Sequence, residues 1–383
     1  MTLTLLVRSI GAVIFGILSD RFGRKWPLVA NLLLCSIVQL STSFVQTFRQ
    51  FLAVRSLFGI AMGGVWGLAS STALENLPIE ARGLASGVLQ QGYALGYLIS
   101  AVLNLYVVPS TRYTWRALFW TTSVISAFAA TVRALIPESE IFLRAQAQQH
   151  ARGASTGKKT KVFINQVGAM LKVHWALCLY AILLMAGFNF LSHGSQDLYP
   201  TYLKDSKDFD NYHAIVATII GNLGAITGGT LAGSISQYIG RRLTIILFVI
   251  LSGAFIPLWI LPSGFHTLAA GAFCVQFGVQ GAWGVIPIQL AEMSPPGFRA
   301  TFPGVAYQLG NMISSASAQI EAIGGDHLKT TIIKNGVPTI VPDYATVQGI
   351  LLGTIAAFVI FITVIGPENH GSNFERQKGA FED

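Results

Sequence analysis

Gly16-Ile-Leu-Ser-Asp20-Arg21-Phe-Gly23-Arg24-Lys25 decides the fold, because the chain carries this stretch twice. It returns as Gly233-Ser-Ile-Ser-Gln237-Tyr-Ile-Gly240-Arg241-Arg242, 217 residues later. The same offset of 217 carries Gly64, Trp66 and Gly67 onto Gly281, Trp283 and Gly284. It also carries Glu75, Pro78 and Arg82 onto Glu292, Pro295 and Arg299, and Gly87 onto Gly304. One offset kept across four separate segments means two parallel homologous halves. In an apolar chain, such halves mark a transporter built from repeats, with its site at their interface.

The chain is apolar enough for that reading. Of 383 residues, 52% are hydrophobic and only 11% charged, and the mean hydropathy is +0.57, which excludes an ordinary soluble domain. Eleven apolar spans are expected, at about 2–18, 26–44, 50–72, 84–108, 115–136, 174–199, 212–232, 243–261, 266–290, 300–320 and 345–366. Each is near the ~20 residues that cross ~30 Å of hydrocarbon. The fold class is therefore an all-α polytopic membrane protein.

One long polar connection, 137–173, holds Arg144, Arg152, Lys158, Lys159, Lys161 and Lys172 and reads as a flexible cytoplasmic linker. It separates a first helical half, 1–136, from a second, 174–366, which a cytoplasmic tail, 367–383, follows. With the linker inside, fifteen basic residues lie on that side and seven opposite, as the positive-inside rule requires. The net charge of +8 is thus topological and indicates no nucleic-acid partner. Cys35, Cys178 and Cys274 all lie inside apolar runs, so no disulfide framework is indicated. No basic region with a cleavage site opens the chain, so no removable signal peptide is expected.

A second stretch, Asn189-Phe-Leu-Ser192-His193-Gly-Ser195-Gln196-Asp197-Leu-Tyr-Pro200-Thr201, ends the apolar run that begins at Trp175. Asn189, His193, Gln196, Asp197 and Pro200 fall at i, i+4, i+7, i+8 and i+11 and share one helix face. Such a stripe is costly in lipid and faces a bundle interior or a watery cavity. It is either a hydrogen-bonded seam between helices or a solute path with a titratable His beside a carboxylate. The solute path is the expectation.

Arg8 lies a little over three turns before Asp20, ~18 Å from the inner boundary at 1.5 Å per residue. That places a planar fork suited to a carboxylate near mid-membrane; snorkelling or an internal ion pair is the alternative. Asn311 sits at comparable depth beyond Ala300. His193, with an unperturbed pKa of ~6.5 and Asp197 one turn away, is the candidate for proton coupling, against a structural His bonded to a neighbouring helix. Glu321 ranks behind that pair. Asp20, Arg21, Arg24 and Lys25 form a candidate inner gate, repeated by Arg241 and Arg242. Gln237 replaces the acid there, so the second latch is expected to be the weaker. Gly59, Gly63, Gly64 and Gly67 read as close helix packing rather than a phosphate loop.

The stretch Gly16–Lys25 resembles the loop motif between the second and third helices of the major facilitator superfamily. Glu75-x-x-Pro78-x-x-x-Arg82-Gly83 and Pro137-Glu138-Ser139 are similar to marks of its sugar-porter-like branches. Residues 189–201 match the whole pattern Asn-x-x-Ser/Thr-His-x-Ser/Thr-Gln-Asp-x-x-x-Thr, the signature of the fungal Jen-type lactate/pyruvate:proton symporters. The resemblance covers essentially the whole chain. It implies a major facilitator fold, substrate binding by Arg8, Asn189, His193, Gln196 and Asn311, and proton coupling through His193 and Asp197. The superfamily has twelve helices, and the counterpart of the signature helix would fall before Met1. The resemblance thus implies eleven of twelve helices, with the first absent, and a chain that transports poorly as written.

The expected function is proton-coupled transport of short-chain monocarboxylates (lactate, pyruvate, acetate or propionate) by alternating access in the plasma membrane. Its partners are the carboxylate, H⁺ and the bilayer, and the chain is expected to be monomeric. A downhill proton is needed because the membrane potential opposes anion entry by ~2.3 kcal/mol per charge per 100 mV. A symporter of dicarboxylates or other organic anions, and a non-transporting nutrient sensor, remain alternatives. The sequence holds no metal-ligand spacing, Walker loop or Gly-x-Ser-x-Gly elbow, so neither an enzyme, a cofactor nor a metal is expected.

Overall fold

A computed structural model of the chain describes residues 2–75, 77–138, 143, 167–295, 297–334 and 337–370. Ser139, Arg144, Arg152, Lys158, Lys159, Lys161, Arg376 and Lys378 lie outside the described residues. The apolar runs form helices α1 (Thr2–Phe22), α2 (Lys25–Thr42), α3 (Phe48–Gly63), α4 (Val65–Leu74), α5 (Ile79–Ser110) and α6 (Arg116–Leu135). Then come α7 (Trp175–Gln196), α8 (Tyr199–Asp205), α9 (Asn211–Ile239), α10 (Arg241–Ala254), α11 (Ile256–Ile260) and α12 (Phe265–Met293). The chain continues through α13 (Thr301–Ser314), α14 (Ser317–His327) and, after a hairpin, α15 (Tyr344–Ile365).

Among the described residues, eight segments are long and apolar enough to cross a membrane, against the eleven expected. The other three expected spans, 26–44, 243–261 and 300–320, are helical but shorter, broken or more polar. They correspond to α2, to α10 with α11 broken ahead of Pro257, and to α13 with α14 broken at Ser315 and Ala316.

The two sequence repeats pack most extensively at two crossings, α1 against α13 and α5 against α9, with α5 also meeting α12 and α4 meeting α12 and α13. The second is a backbone contact made by Gly83-x-x-x-Gly87 on Gly229-x-x-x-Gly233. A Cβ on Gly83 would meet the Gly233 carbonyl at 2.6 Å, and one on Gly87 the Gly229 carbonyl at 2.6 Å. Small residues at this spacing let membrane helices approach where no hydrophobic force distinguishes helix from lipid. The glycines singled out from sequence pack similarly: Gly63 against the Arg8 backbone and Gly67 against Gly304 of α13.

The apolar core lies in the second repeat, where Phe188, Leu191, Val249, Trp259, Val279 and Val359 join α7, α10, α11, α12 and α15. Away from the Asp20 end, β1 (Lys329–Lys334) and β2 (Val337–Pro342) pair antiparallel, with Lys329 opposite Pro342. The span reading did not anticipate this hairpin. Its sequence signal is Asn335-Gly336 between two apolar, β-branched runs.

Candidate functional site

At one end of the bundle, the repeated motif folds into two copies of one ionic latch. Gly23 (φ 104°) and Gly240 (φ 94°) make left-handed turns after α1 and α9, a conformation that costs glycine little. Each turn sends the next arginine back along its own helix. Arg24 Nη1 donates to Asp20 Oδ1 at 2.7 Å and to the Ser19 carbonyl at 2.9 Å, while Nε and Nη2 fork onto Glu75 at 3.2 and 2.7 Å. Arg241 donates to Ser236 Oγ at 2.8 Å, to Gln237 Oε1 at 3.1 Å and twice to Glu292 at 3.1 Å. Burial alone lowers the pKa of Arg24, but the carboxylates of Glu75 and Asp20 outweigh it and raise the pKa above the usual arginine value.

The same residues tie the two repeats together. Asp20 accepts from Ala300 N at 3.2 Å, Thr301 N at 2.9 Å and Thr301 Oγ1 at 2.5 Å, so it caps the start of α13. Gln237 Oε1 accepts from Gly83 N at 3.3 Å in the first turns of α5. Two further acids hold the next helix starts. Glu138 accepts from the backbone N–H of Arg24 and Lys25 at 3.0 and 2.9 Å, and Glu368 from those of Arg241 and Arg242 at 2.7 and 3.2 Å. Helix starts favour such carboxylates. The remaining basic members are more peripheral. Arg21 lies over Phe22 and Lys25 over Trp26, while Arg242 donates to the carbonyls of Thr363 and Val364 at the end of α15. Both latches are thus formed in this structure.

Midway along the bundle, a second polar group lies between the repeats. His193 Nδ1 meets Asp197 Oδ2 at 2.9 Å, and its Nε2 meets Asn311 Oδ1 at 3.4 Å. Asn311 Nδ2 donates to Gln308 Oε1 at 3.1 Å, and Gln308 Nε2 to the Gly63 carbonyl at 3.3 Å. The Gly63 carbonyl can only accept, and that fixes each amide in turn. Asn311 is left with its oxygen towards His193. Both ring nitrogens then face oxygen atoms. A chain of side chains thus links the His–carboxylate pair of α7 to the backbone of the first repeat.

Arg8 comes to the same region from α1. Its Nε is buried without a hydrogen-bond partner, and Tyr93 and Tyr307 are within its electrostatic reach. Tyr93 also neighbours Asp197, and 39% of its surface is accessible. Tyr97, one turn further along α5, faces Asp197 as well. Aromatic rings pack on Tyr307: Trp66 stacks on it at 4.7 Å and bonds Gln90 Oε1 at 3.1 Å, and Trp283 meets it edge-on at 5.8 Å.

Hydrogen bonds thus join His193 to Asp197 and Asn311, and Arg8 and Asp197 share Tyr93 as a neighbour, whereas Asn189 and Gln196 turn to other partners. Asn189 Nδ2 turns back to the Met185 carbonyl at 2.8 Å, with the Tyr307 carbonyl at 3.5 Å. Gln196, at the last turn of α7, donates to Gln276 Oε1 of α12 at 2.7 Å. Beside it lies a cavity of about 20 Å³ lined by Tyr97, Gln196, Asn222 and Gln276, enough for a water-sized molecule. Gln196 Oε1 and Asn222 Oδ1 are buried acceptors without partners. Sequence reasoning missed Tyr93, Tyr97, Gln90, Tyr307 and Gln308. Polar spacing on α5 at Gln90, Tyr93 and Tyr97 was the available signal.

Comparison with known proteins fits this geometry. The Major Facilitator Superfamily pattern matches residues 1–318. A carboxylic acid transporter protein homolog of Saccharomyces cerevisiae is 35% identical over 377 residues, covering 96% of this chain. The chain spans 61% of that relative's own length. A probable 4-methylmuconolactone transporter of Cupriavidus pinatubonensis is 26% identical over 379 residues, 98% of this chain and 82% of that protein. Among solved structures, the proton:xylose symporter XylE of E. coli superposes with a TM-score of 0.74 at 17% identity, covering 97% of this chain and 86% of that one. At that identity the likeness concerns the fold alone. The match over residues 1–318, the repeated latch and the superposition together make this multi-pass membrane protein a member of the Major Facilitator Superfamily.

Proposed function

We propose that the chain carries a small organic carboxylate across the plasma membrane together with a proton, with lactate and pyruvate as the first substrates to test. Arg8 carries the reading: among the described residues no carboxylate pairs with its guanidinium, its Nε has no hydrogen-bond partner, and Tyr93 and Tyr307 are its neighbours. Such a charge in mid-membrane asks for an anion, and its fork matches a carboxylate. Asn311 and the Tyr93 and Tyr307 hydroxyls offer hydrogen bonds to a 2-oxo or 2-hydroxyl group. His193 and Asp197 supply titratable groups at the same space for proton coupling. The latches of Arg24 and Arg241 hold one end shut and must part for release to the cytoplasm, in alternating access. The yeast relative's name, a carboxylic acid transporter homolog, supports the substrate class. A larger organic acid is the second reading, favoured by the aromatic walls of Trp66, Tyr93, Tyr97 and Tyr307 and by the relative named for 4-methylmuconolactone.

The test is uptake of labelled lactate, pyruvate and muconate at about pH 5 and about pH 7.5 in cells without a carrier of their own, with each acid also used as a competitor of the others. Acid-stimulated uptake that Arg8→Ala removes would support the reading. Uptake blocked better by muconate than by pyruvate would favour the second. No uptake of any of the acids by protein at the cell surface would overturn both.

A further inference from the structure

Glu321 is completely buried on α14, beyond the central space and away from the latches. Its Oε1 accepts from Ser317 Oγ at 3.3 Å and its Oε2 from Gln348 Nε2 at 3.2 Å. Both donors are neutral, and both bonds are longer than the ~2.5–2.9 Å typical of an ionised carboxylate. The helix packs on α7, α15 and β2. From α7, the titratable group within reach is Asp197, a like charge. From α15 comes the neutral Gln348, with Tyr344 lying against Gly325 instead. Strand β2 carries no charged residue, and Asp326 and His327 follow at the far end of the same helix. Among the described residues, no Lys, Arg or His pairs with Glu321.

A carboxylate buried without a cation is costly, and a carboxyl so placed binds a proton. The surroundings can accept either form. Gln348 Oε1 is a buried acceptor without a partner, on the same amide that donates to Glu321. Turning that amide exchanges its nitrogen for its oxygen, so it donates to the carboxylate or accepts from the acid. The group is also in direct touch with the signature helix. A Cβ on Gly194, beside His193, would stand 3.3 Å from Glu321 Oε1, so nothing separates α7 from the carboxyl.

We propose that Glu321 is the proton-carrying group of the transport cycle. This inference rests on the carboxylate-symport reading above and moves the transported proton from the His193–Asp197 pair to Glu321. Water on the open side supplies the proton, which forms the O–H of the Glu321 acid while the anion sits at Arg8. When α7 and α14 shift, the O–H bond breaks and the proton passes to water on the opposite side, leaving the carboxylate. Anion and proton then cross together without net charge, which removes the opposition of the membrane potential. The His193–Asp197 pair, bonded on one side to Asn311 and adjoining Gly194 on the other, links occupancy of the central space to the proton site.

The full chain in proteoliposomes tests this in two ways. Glu321→Gln keeps the shape and fixes the neutral state. Lactate uptake driven by an imposed pH gradient should fall more than ~10-fold, while lactate–lactate exchange stays within ~2-fold of the unmutated protein. Glu321→Asp should restore part of the driven uptake. Independently of any substrate, the pH-difference infrared spectrum should contain the C=O stretch of a buried carboxylic acid that Glu321→Gln removes. Driven uptake preserved in Glu321→Gln, or the infrared band unchanged by it, would overturn the proposal. If the unmutated protein moves no lactate in either mode, the symport reading fails by itself. The infrared band then still decides whether Glu321 is a proton site.

Discussion

The end of the molecule that carries Asp20 is built twice, whereas in its middle Trp66 repeats as Trp283 but Arg8 and Asn311 have no polar counterpart. Ser19, Asp20, Gly23, Arg24 and Glu75 have Ser236, Gln237, Gly240, Arg241 and Glu292 in the same positions 217 residues on. Even the bonds between repeats obey the offset, since Ala300 N bonds Asp20 as Gly83 N bonds Gln237. In the middle, the offset leads from Arg8 to Ala225 and from Asn311 back to Ala94. A gate acts on both crossings of a two-fold assembly, so its parts gain from repetition. A small asymmetric solute presents one carboxylate, and a second buried arginine facing it would stay unpaired. On the proposed function, the repeated ionic latches are the parts that open and close, and the unrepeated Arg8 and Asn311 are the parts that recognise.

The largest effect should come from breaking a latch from one side. Arg24→Ala leaves Glu75 and Asp20 buried without their cation, at a cost of about 3–5 kcal/mol. Thermal unfolding should show that loss, and Arg241→Ala should match it if the two copies are equivalent. A much milder Arg241→Ala would break the comparison. Next in size, Arg8→Ala should reduce uptake ~100-fold, the scale of losing a buried charged contact, without lowering the melting temperature. Arg8 has no acid to abandon, in contrast to Arg24.

Smaller still is the difference between the copies at one position. Asp20 caps α13 as a carboxylate where Gln237 offers α5 an amide oxygen, and charged hydrogen bonds exceed neutral ones by about 1 kcal/mol. Asp20→Asn should therefore loosen the closed end by that amount, and Gln237→Asp should tighten it. Labelling rates of a cysteine placed under the latch would measure both, and equal rates in the two variants would contradict the account. The least effect is expected at Asp210, the cap of α9. The backbone N–H of His213, then its side chain, hold that carboxyl below the usual carboxylate range. A depressed folded value means the cap contributes at all pH above the unfolded value and is lost only as pH falls through the folded one. Between about pH 7.5 and pH 5 it should not change. Asp210→Asn should accordingly leave the acid stimulation of uptake intact.

Much of this was legible in the sequence because repeats preserve spacing. Gly23, Arg24 and Glu75 announced their copies before any coordinates. Glu368 escaped that reading. It lies 230 residues beyond Glu138 rather than 217, because the hairpin of β1 and β2 lengthens the second repeat between the latch and α15. The shared Pro-Glu of Pro137-Glu138 and Pro367-Glu368 was the visible clue. The polar stripe of residues 189–197 predicted an interior face correctly but not its division. Helical periodicity gives a direction, and only packing decides that His193 turns to Asn311 while Gln196 turns to Gln276. Glu321 illustrates the same limit. From sequence it was a carboxylate at a helix end, and its burial against Gly194 depends on α7, far away in the chain.

Recognition of a carboxylate by the Arg8 guanidinium, as proposed above, can be tested by tryptophan fluorescence without transport. Trp66, stacked on Tyr307 beside Arg8, is the reporter. Lactate should change the emission of the purified protein in a saturable way, its neutral amide should not, and Arg8→Gln should abolish the lactate response. A response to the neutral amide equal to that of lactate, or one that survives Arg8→Gln, would contradict the account.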